Sequence, residues 1–244
     1  MTELMTKPTL ITVSHGTWDN YTRRLIRMVE HYTRPADIDR WLFCDNDSRN
    51  GQKLRDHEFG LPITRLLYTE NIGDLPRYNK VMELVSTEFV VFISTDIRLF
   101  TSDWLKVFLA PFADPKVGIV GALGPGSTMG PAHADPGVGR EWHWIPKLLV
   151  DRGIPFETCG HVQTHCFAVR TEAFNEVGGF WVPEKDFLIK GHLIAGEIAF
   201  SVKLRKAGWT MSHRHPPMYH YGNQAGSEAE LDAFDASRAW SVDF

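Results

Sequence analysis

Three carboxylates stand where they could act on a charged ligand. Asp45 lies in Cys44-Asp45-Asn46-Asp47-Ser48, Asp96 in Ser94-Thr95-Asp96-Ile97-Arg98, and Glu197 in Gly196-Glu197-Ile198-Ala199. A carboxylate can accept a proton from a nucleobase edge, ligate a hard divalent cation, or take a proton from a hydroxyl. Two cationic or metal-capable groups accompany them. Arg77, between Asn71-Ile72-Gly73 and Asn79, offers a planar fork that matches a phosphate. His220, in Met218-Tyr219-His220-Tyr221-Gly222, offers an imidazole. Taken singly, each segment also reads as an Asx-rich turn, a capped helix or a packed side chain. Their order along the chain is what makes them informative.

These residues must be held by the elements around them. Thr9–Ser14 is rich in β-branched residues and reads as a buried strand. Trp18, Tyr21, Leu25, Met28 and Tyr32 recur at helical spacing. Trp41–Cys44 is a second strand, closed by a turn over Asp45–Gly51, and Ile63–Tyr68 is a third. Asp74 is placed to cap a helix with Pro76 in its first turn, carrying Tyr78, Val81, Met82 and Leu84-Val85. Phe89–Ser94 is an apolar central strand. A helix with Trp104, Leu105, Phe108 and Leu109 follows, capped by Thr101 or Ser102, and Val117–Val120 is a fifth strand. Regular signals return at His161–Val169, in a helix that Thr171 would cap, and in a last helix marked by Ile194, Ile198 and Val202. Trp209–Ser212 and Pro217–Tyr221 are short strands. Alternation of this kind implies a single α/β domain whose mostly parallel sheet has helices on both faces. Such sheets bind ligands at the carboxyl ends of their strands, where Asp45 and Asp96 fall.

The order of motifs resembles glycosyltransferase family 2, which has the GT-A fold, over roughly residues 8 to 222. Cys44-Asp45-Asn46-Asp47-Ser48 is similar to the family's V-D-N-G-S-x-D-G, whose Asp contacts the base of a sugar nucleotide. Asn71-Ile72-Gly73 with Arg77 and Asn79 resembles N-x-G…R-N, which lies against the nucleotide. Ser94-Thr95-Asp96 occupies the D-x-D position, with Ser94 in place of the first acid. Arg170, Ala173, Phe174, Val177, Gly178, Gly179 and Phe180 match R-x-x-A-F-x-x-V-G-G-F, a segment that shapes the sugar and acceptor pocket together with Trp181. Counting back from Ala207-Gly208 sets Glu197 on the catalytic carboxylate, with Gly196 and Ala199 in place of flanking acids.

The resemblance implies an inverting enzyme that moves a sugar from a nucleoside diphosphate sugar to an acceptor hydroxyl on a glycan, lipid, protein or small molecule. Glu197 would be the base. Ser14, Asp45, Asn71, Gly73, Arg77, Asn79, Thr95 and Asp96 would hold the donor. Asp96 and His220 would hold Mn2+ or Mg2+, neutralising charge on the leaving diphosphate. One base opposite the leaving group implies a single displacement. The reduced acid content also leaves a different class open, a non-catalytic sugar-nucleotide or glycan-binding protein on the same scaffold.

Composition bounds these readings. The chain has 244 residues, 43% hydrophobic and 23% charged, which excludes disorder as an overall description. The net charge of -4 shows no basic excess for nucleic acid or anionic lipid. All of that charge sits beyond residue 222, where Glu228, Glu230, Asp232, Asp235 and Asp243 face only Arg238. The expected division is therefore a neutral catalytic body, 1–222, and an acidic tail or docking helix, 223–244. Ser14-His15-Gly16-Thr17 is not a G-x-G-x-x-G turn, which disfavours a dinucleotide enzyme, and a P-loop is absent. Cys159, His161, His165 and Cys166 match no structural zinc spacing. The stretch 121–139, rich in Gly and Pro, is expected to be a functional loop, and Trp142, Trp144 and Trp181 could offer faces to a sugar. Three cysteines and no apolar leader suggest a soluble cytoplasmic protein.

Overall fold

A computed structural model describes residues 6–16, 21–46, 51–122, 162, 165–180, 194–214 and 218–220, with backbone alone at 51–52, 122, 194–198, 202, 213–214 and 219–220. Trp18, most of the 121–139 stretch, Trp142, Trp144, Cys159, His161, Trp181 and the acidic tail lie outside the described residues.

Six buried residues, Thr9–Ser14, four of them β-branched, make β1. Its neighbours are β2 (Arg40–Asn46) and β4 (Phe89–Ile93), and β3 (Ile63–Tyr68) lies outside β2. These four strands run parallel. The sheet continues through β7 (Cys166–Arg170), β6 (Val117–Ala122) and β8 (Thr210–Arg214), in the order β3-β2-β1-β4-β7-β6-β8. β7 is antiparallel to both β4 and β6, while β6 and β8 are parallel. A small second sheet pairs β5 (Ile97–Leu99) with β9 (Met218–His220).

Strand alternation sorts the core into two layers. Leu10, Trp41, Phe43, Val91 and Ile93 face one side, where they meet α1 (Arg23–Tyr32) through Leu25, Ile26 and Val29, and α4 (Trp104–Leu109) through Trp104, Leu105 and Phe108. Ile11, Val13, Leu42, Val90 and Phe92 face the other. There they meet α3 (Asp74–Met82), α5 (Thr171–Glu176) and α6 (Ile194–Lys206) through Tyr78, Phe174 and Phe200. The mostly parallel α/β sheet with helices on both faces is as the alternation implies. Among the described residues no helix is long and apolar enough to cross a membrane.

Several local expectations are corrected. β2 does not stop at Cys44: Asp45 and Asn46 stay in the strand, opposite Leu67 and Tyr68. Parallel pairing, with β1 and β3 for Asp45 and with β3 for Asn46, overrides the turn tendency of these two residues. A short helix, α2 (Gly51–Asp56), replaces the end of the expected turn. Gly73, at φ +83°, is the N-cap of α3 and Asp74 its first residue, because the left-handed backbone there suits glycine. That helix ends at Met82, leaving Leu84 46% exposed. Asp103 rather than Thr101 or Ser102 is the N-cap of α4. Thr171 is inside α5, its hydroxyl donating to the Thr87 carbonyl instead of capping.

Candidate donor and catalytic site

The carboxyl ends of β2, β3 and β4 bring the first three motifs to one edge. Asp45 and Asn46 close β2 beside Ser14 of β1, and both are buried. Asn46 is the centre of a polar knot. Its Nδ2 donates to Asn71 Oδ1 at 2.7 Å, and its Oδ1 accepts from Arg77 Nε at 2.9 Å. Asn71 Oδ1 also accepts from the Gly73 N–H at 2.9 Å, which shapes the turn into α3. Arg77 Nη2 donates to the Glu70 carbonyl at 2.6 Å, and the guanidinium lies 3.5 Å above the Tyr68 ring. Two of the three Arg77 nitrogens are thus engaged within the protein, and the residue is 2% exposed. The outward fork expected for a phosphate is not the geometry here. A buried guanidinium needs its own partners, and Asn46 with the 70–73 turn supplies them.

Ser14 likewise faces inward, its hydroxyl donating to the Cys44 carbonyl at 3.3 Å. The residue after it was absent from the expected site. His15 is exposed, and its Nδ1 is 2.9 Å from the Asn46 carbonyl. A histidine on a sheet's carboxyl edge was the available signal.

The β4–β5 connection carries Thr95 and Asp96. The Ser94 N–H donates to the His165 carbonyl and the Ile97 N–H to the Ser94 carbonyl, a tight turn with Thr95 and Asp96 at its centre. β5 then pairs with β9 so that Ile97 stands opposite His220. Two motifs 124 positions apart in the chain, at Asp96 and His220, become neighbours through that pairing.

Asp74 joins this edge electrostatically. Its side chain is exposed to solvent, with protein atoms crowded around it. Desolvation raises its pKa, the negative charge of Asp96 raises it further, and His15 acts in the opposite sense. Asp74, Asp96 and His15 therefore share one field. Among the described residues no three His, Cys, Asp or Glu side chains form a metal cluster. The donor chemistry nonetheless fits a hard cation: Mg2+ or Mn2+ commonly takes one or two carboxylates and completes its shell with phosphate and water. Asp96, with like charge nearby at Asp74 and with His220 across the β5–β9 pair, is that kind of set.

The last two motifs meet α3 from the other side. Phe180 follows Gly178 and Gly179, both at positive φ. Asn79 binds the Phe180 backbone through both its amide groups, so its side chain serves the scaffold. The Phe180 ring, 3% exposed, packs on Phe200 at 4.5 Å, Phe174 at 5.5 Å and Phe167 at 5.8 Å. It is core rather than a pocket wall, because the positive-φ turn at Gly178 and Gly179 leads the chain back onto the sheet. Glu197 is three residues before Phe200 in α6, one turn nearer the helix start. Arg170 sits at the opposite edge of the sheet, bridging Glu88 and the carbonyls of Phe112 and Val117.

Comparison with solved structures decides the architecture. A mannosyltransferase from Pyrobaculum calidifontis, in complex with GDP-Man and Mn2+, superposes with TM-score 0.63 at 15% identity, over 93% of this chain and 60% of that one. The chain has the GT-A fold. It spans 60% of that mannosyltransferase's length. Glucosyl-3-phosphoglycerate synthase from Mycobacterium tuberculosis, with Mn2+, UDP and phosphoglyceric acid, gives TM-score 0.58 at 12% identity, over 95% and 75% of the two chains. The same enzyme with Mg2+ and UDP gives 0.54 at 11% identity, over 95% and 76%. No family model matches the sequence, and no curated protein matches it.

Proposed function

We propose that the protein is a glycosyltransferase that moves a sugar from a nucleoside diphosphate sugar to an acceptor hydroxyl, with inversion. The observation that carries this reading is the pairing of Ile97 with His220, which sets an Asp-bearing turn beside a His-bearing strand at the carboxyl end of a GT-A sheet. The bound nucleotides and divalent cations of the two neighbours support it.

In this mechanism Asp45 accepts a hydrogen bond from the base edge of the donor. Arg77 acts through Asn46 and Asn71, keeping the 70–73 turn in place. Asp96 and His220 would hold Mn2+ or Mg2+, which when bound supplies electrostatic stabilisation of the leaving diphosphate. Glu197 takes the acceptor hydroxyl's proton as that oxygen attacks the anomeric carbon from the face opposite the diphosphate. The bond from the anomeric carbon to the diphosphate oxygen breaks, and its electron pair leaves with the nucleoside diphosphate. The tail beyond residue 222 is assigned no part in donor binding.

The test is nucleoside diphosphate release from a panel of sugar nucleotides with Mn2+ and mixed acceptors. Glu197→Gln should lower turnover by about 10²–10⁴-fold with nucleotide affinity kept. Asp96→Asn should weaken the Mn2+-dependent part of nucleotide binding. Full turnover in Glu197→Gln removes that base. Ser94, Gly196 and Ala199, in place of acids, favour a second reading as a sugar-nucleotide-binding protein. Tight donor binding with no turnover on any acceptor would select it.

A further inference from the structure

We infer that the acidic segment 228–243 of this chain docks on a basic stripe of α1. The stripe is Arg23, Arg27 and His31, all exposed and four residues apart, so one face of the helix carries them. α1 holds three arginines and one glutamate, and its first turn has Arg23 and Arg24 but no acid. Acids are the usual residues there, because the helix dipole leaves an N-terminus positive. Arginine adds to that charge here instead of offsetting it. Glu30 lies on the same face but is engaged elsewhere: its Oε1 accepts from the Gly60 N–H at 2.6 Å. The complement of this face is an anion.

Topology selects which anion. α1 packs beside β5, and β5 pairs with β9, where His220 stands opposite Ile97. The segment that follows His220 therefore starts next to α1. Glu228 is eight residues on, a reach of up to about 26 Å, and α1 is about 15 Å long. Beyond residue 222, Glu228, Glu230, Asp232, Asp235 and Asp243 face only Arg238, so the segment has the opposite charge to the stripe. A covalent tether also presents these acids at an effective concentration that a free polyanion or an anionic lipid surface would have to exceed.

The test is zero-length carbodiimide cross-linking of the full chain carrying Arg27→Lys, which keeps the charge and supplies an amine, with peptide mass mapping of the monomer. At low salt the amine at position 27 should couple to an acid within 228–243. The yield should fall by about fivefold in 1 M NaCl, where the screening length is about 3 Å. A charge swap tests the same contact without a cross-linker. Arg23→Glu with Arg27→Glu should melt about 3 °C below wild type at low salt. Adding Glu228→Lys, Glu230→Lys and Asp232→Lys should recover about half of that loss or more. Coupling of position 27 only to acids outside 228–243, coupling found only in a dimer, or no recovery in the charge swap overturns the inference. None of these readouts uses a nucleotide, so the donor reading stands or falls separately.

Discussion

Asn79 and Phe180, 101 residues apart, are joined by two reciprocal hydrogen bonds: the Phe180 N–H donates to Asn79 Oδ1 and Asn79 Nδ2 donates to the Phe180 carbonyl, each at 2.9 Å. The amide imitates a strand partner and locks the glycine turn onto α3.

The two glycines of that turn should respond differently to alanine. Gly178, at φ +73°, has open space around a new Cβ, so Gly178→Ala should cost about 1 kcal/mol from the left-handed backbone alone. At Gly179, φ +71°, the Cβ would lie 2.6 Å from Asn79 Oδ1 and 3.0 Å from the Phe174 ring. Gly179→Ala should therefore cost about 3 kcal/mol, adding loss of the clamp to the backbone term. Urea unfolding measures both, and equal costs would show that the clamp yields without penalty.

Arg77 should prove intolerant of lysine. Arg77→Leu strands Asn46 Oδ1 and the Glu70 carbonyl and should cost about 3 kcal/mol. Arg77→Lys keeps the charge but cannot reach both acceptors while lying flat on Tyr68, and should lose about 2 kcal/mol. A Lys variant with wild-type denaturation midpoint would remove the bidentate argument.

Asp74 should make stability depend on pH. Its carboxyl is raised by desolvation and by Asp96, so the folded state holds that proton more tightly than the unfolded chain. The contribution is present below the ordinary aspartate range and is lost as pH rises through the folded value. In metal-free buffer Asp74→Asn should melt higher than wild type at neutral pH, and the difference should close as the pH falls below the ordinary aspartate value. A constant difference across that window would show that Asp74 is not the group concerned.

Cys44 and Cys166 should be inert. Burial pushes the Cys44 thiol up to about 12, opposed by Arg77, and pushes Cys166 up as well. Both are fully buried in β2 and β7. Iodoacetamide at mildly alkaline pH should leave these two unmodified in the folded protein, as shown by peptide mass mapping, and label them in urea. Rapid native labelling of either would contradict the packing.

Much of the strand and helix pattern was legible because apolar periodicity is a local property. β1, β3 and the last helix follow from local pattern alone, Asp45 and Asp96 stood out as acids at the ends of apolar segments, and Glu197 was singled out only by its spacing from Ala207-Gly208 in the family resemblance. Their order also pointed to GT-A before any coordinates. Three things were not legible. β7 runs against its neighbours, β5 pairs with β9 to bring Ile97 to His220, and Arg77 and Asn79 turn inward to hold Asn46 and Phe180. Each depends on partners at least 31 residues away. Whether a polar side chain meets a ligand or completes the scaffold is set by which buried donors and acceptors the fold leaves nearby, and only tertiary structure decides that.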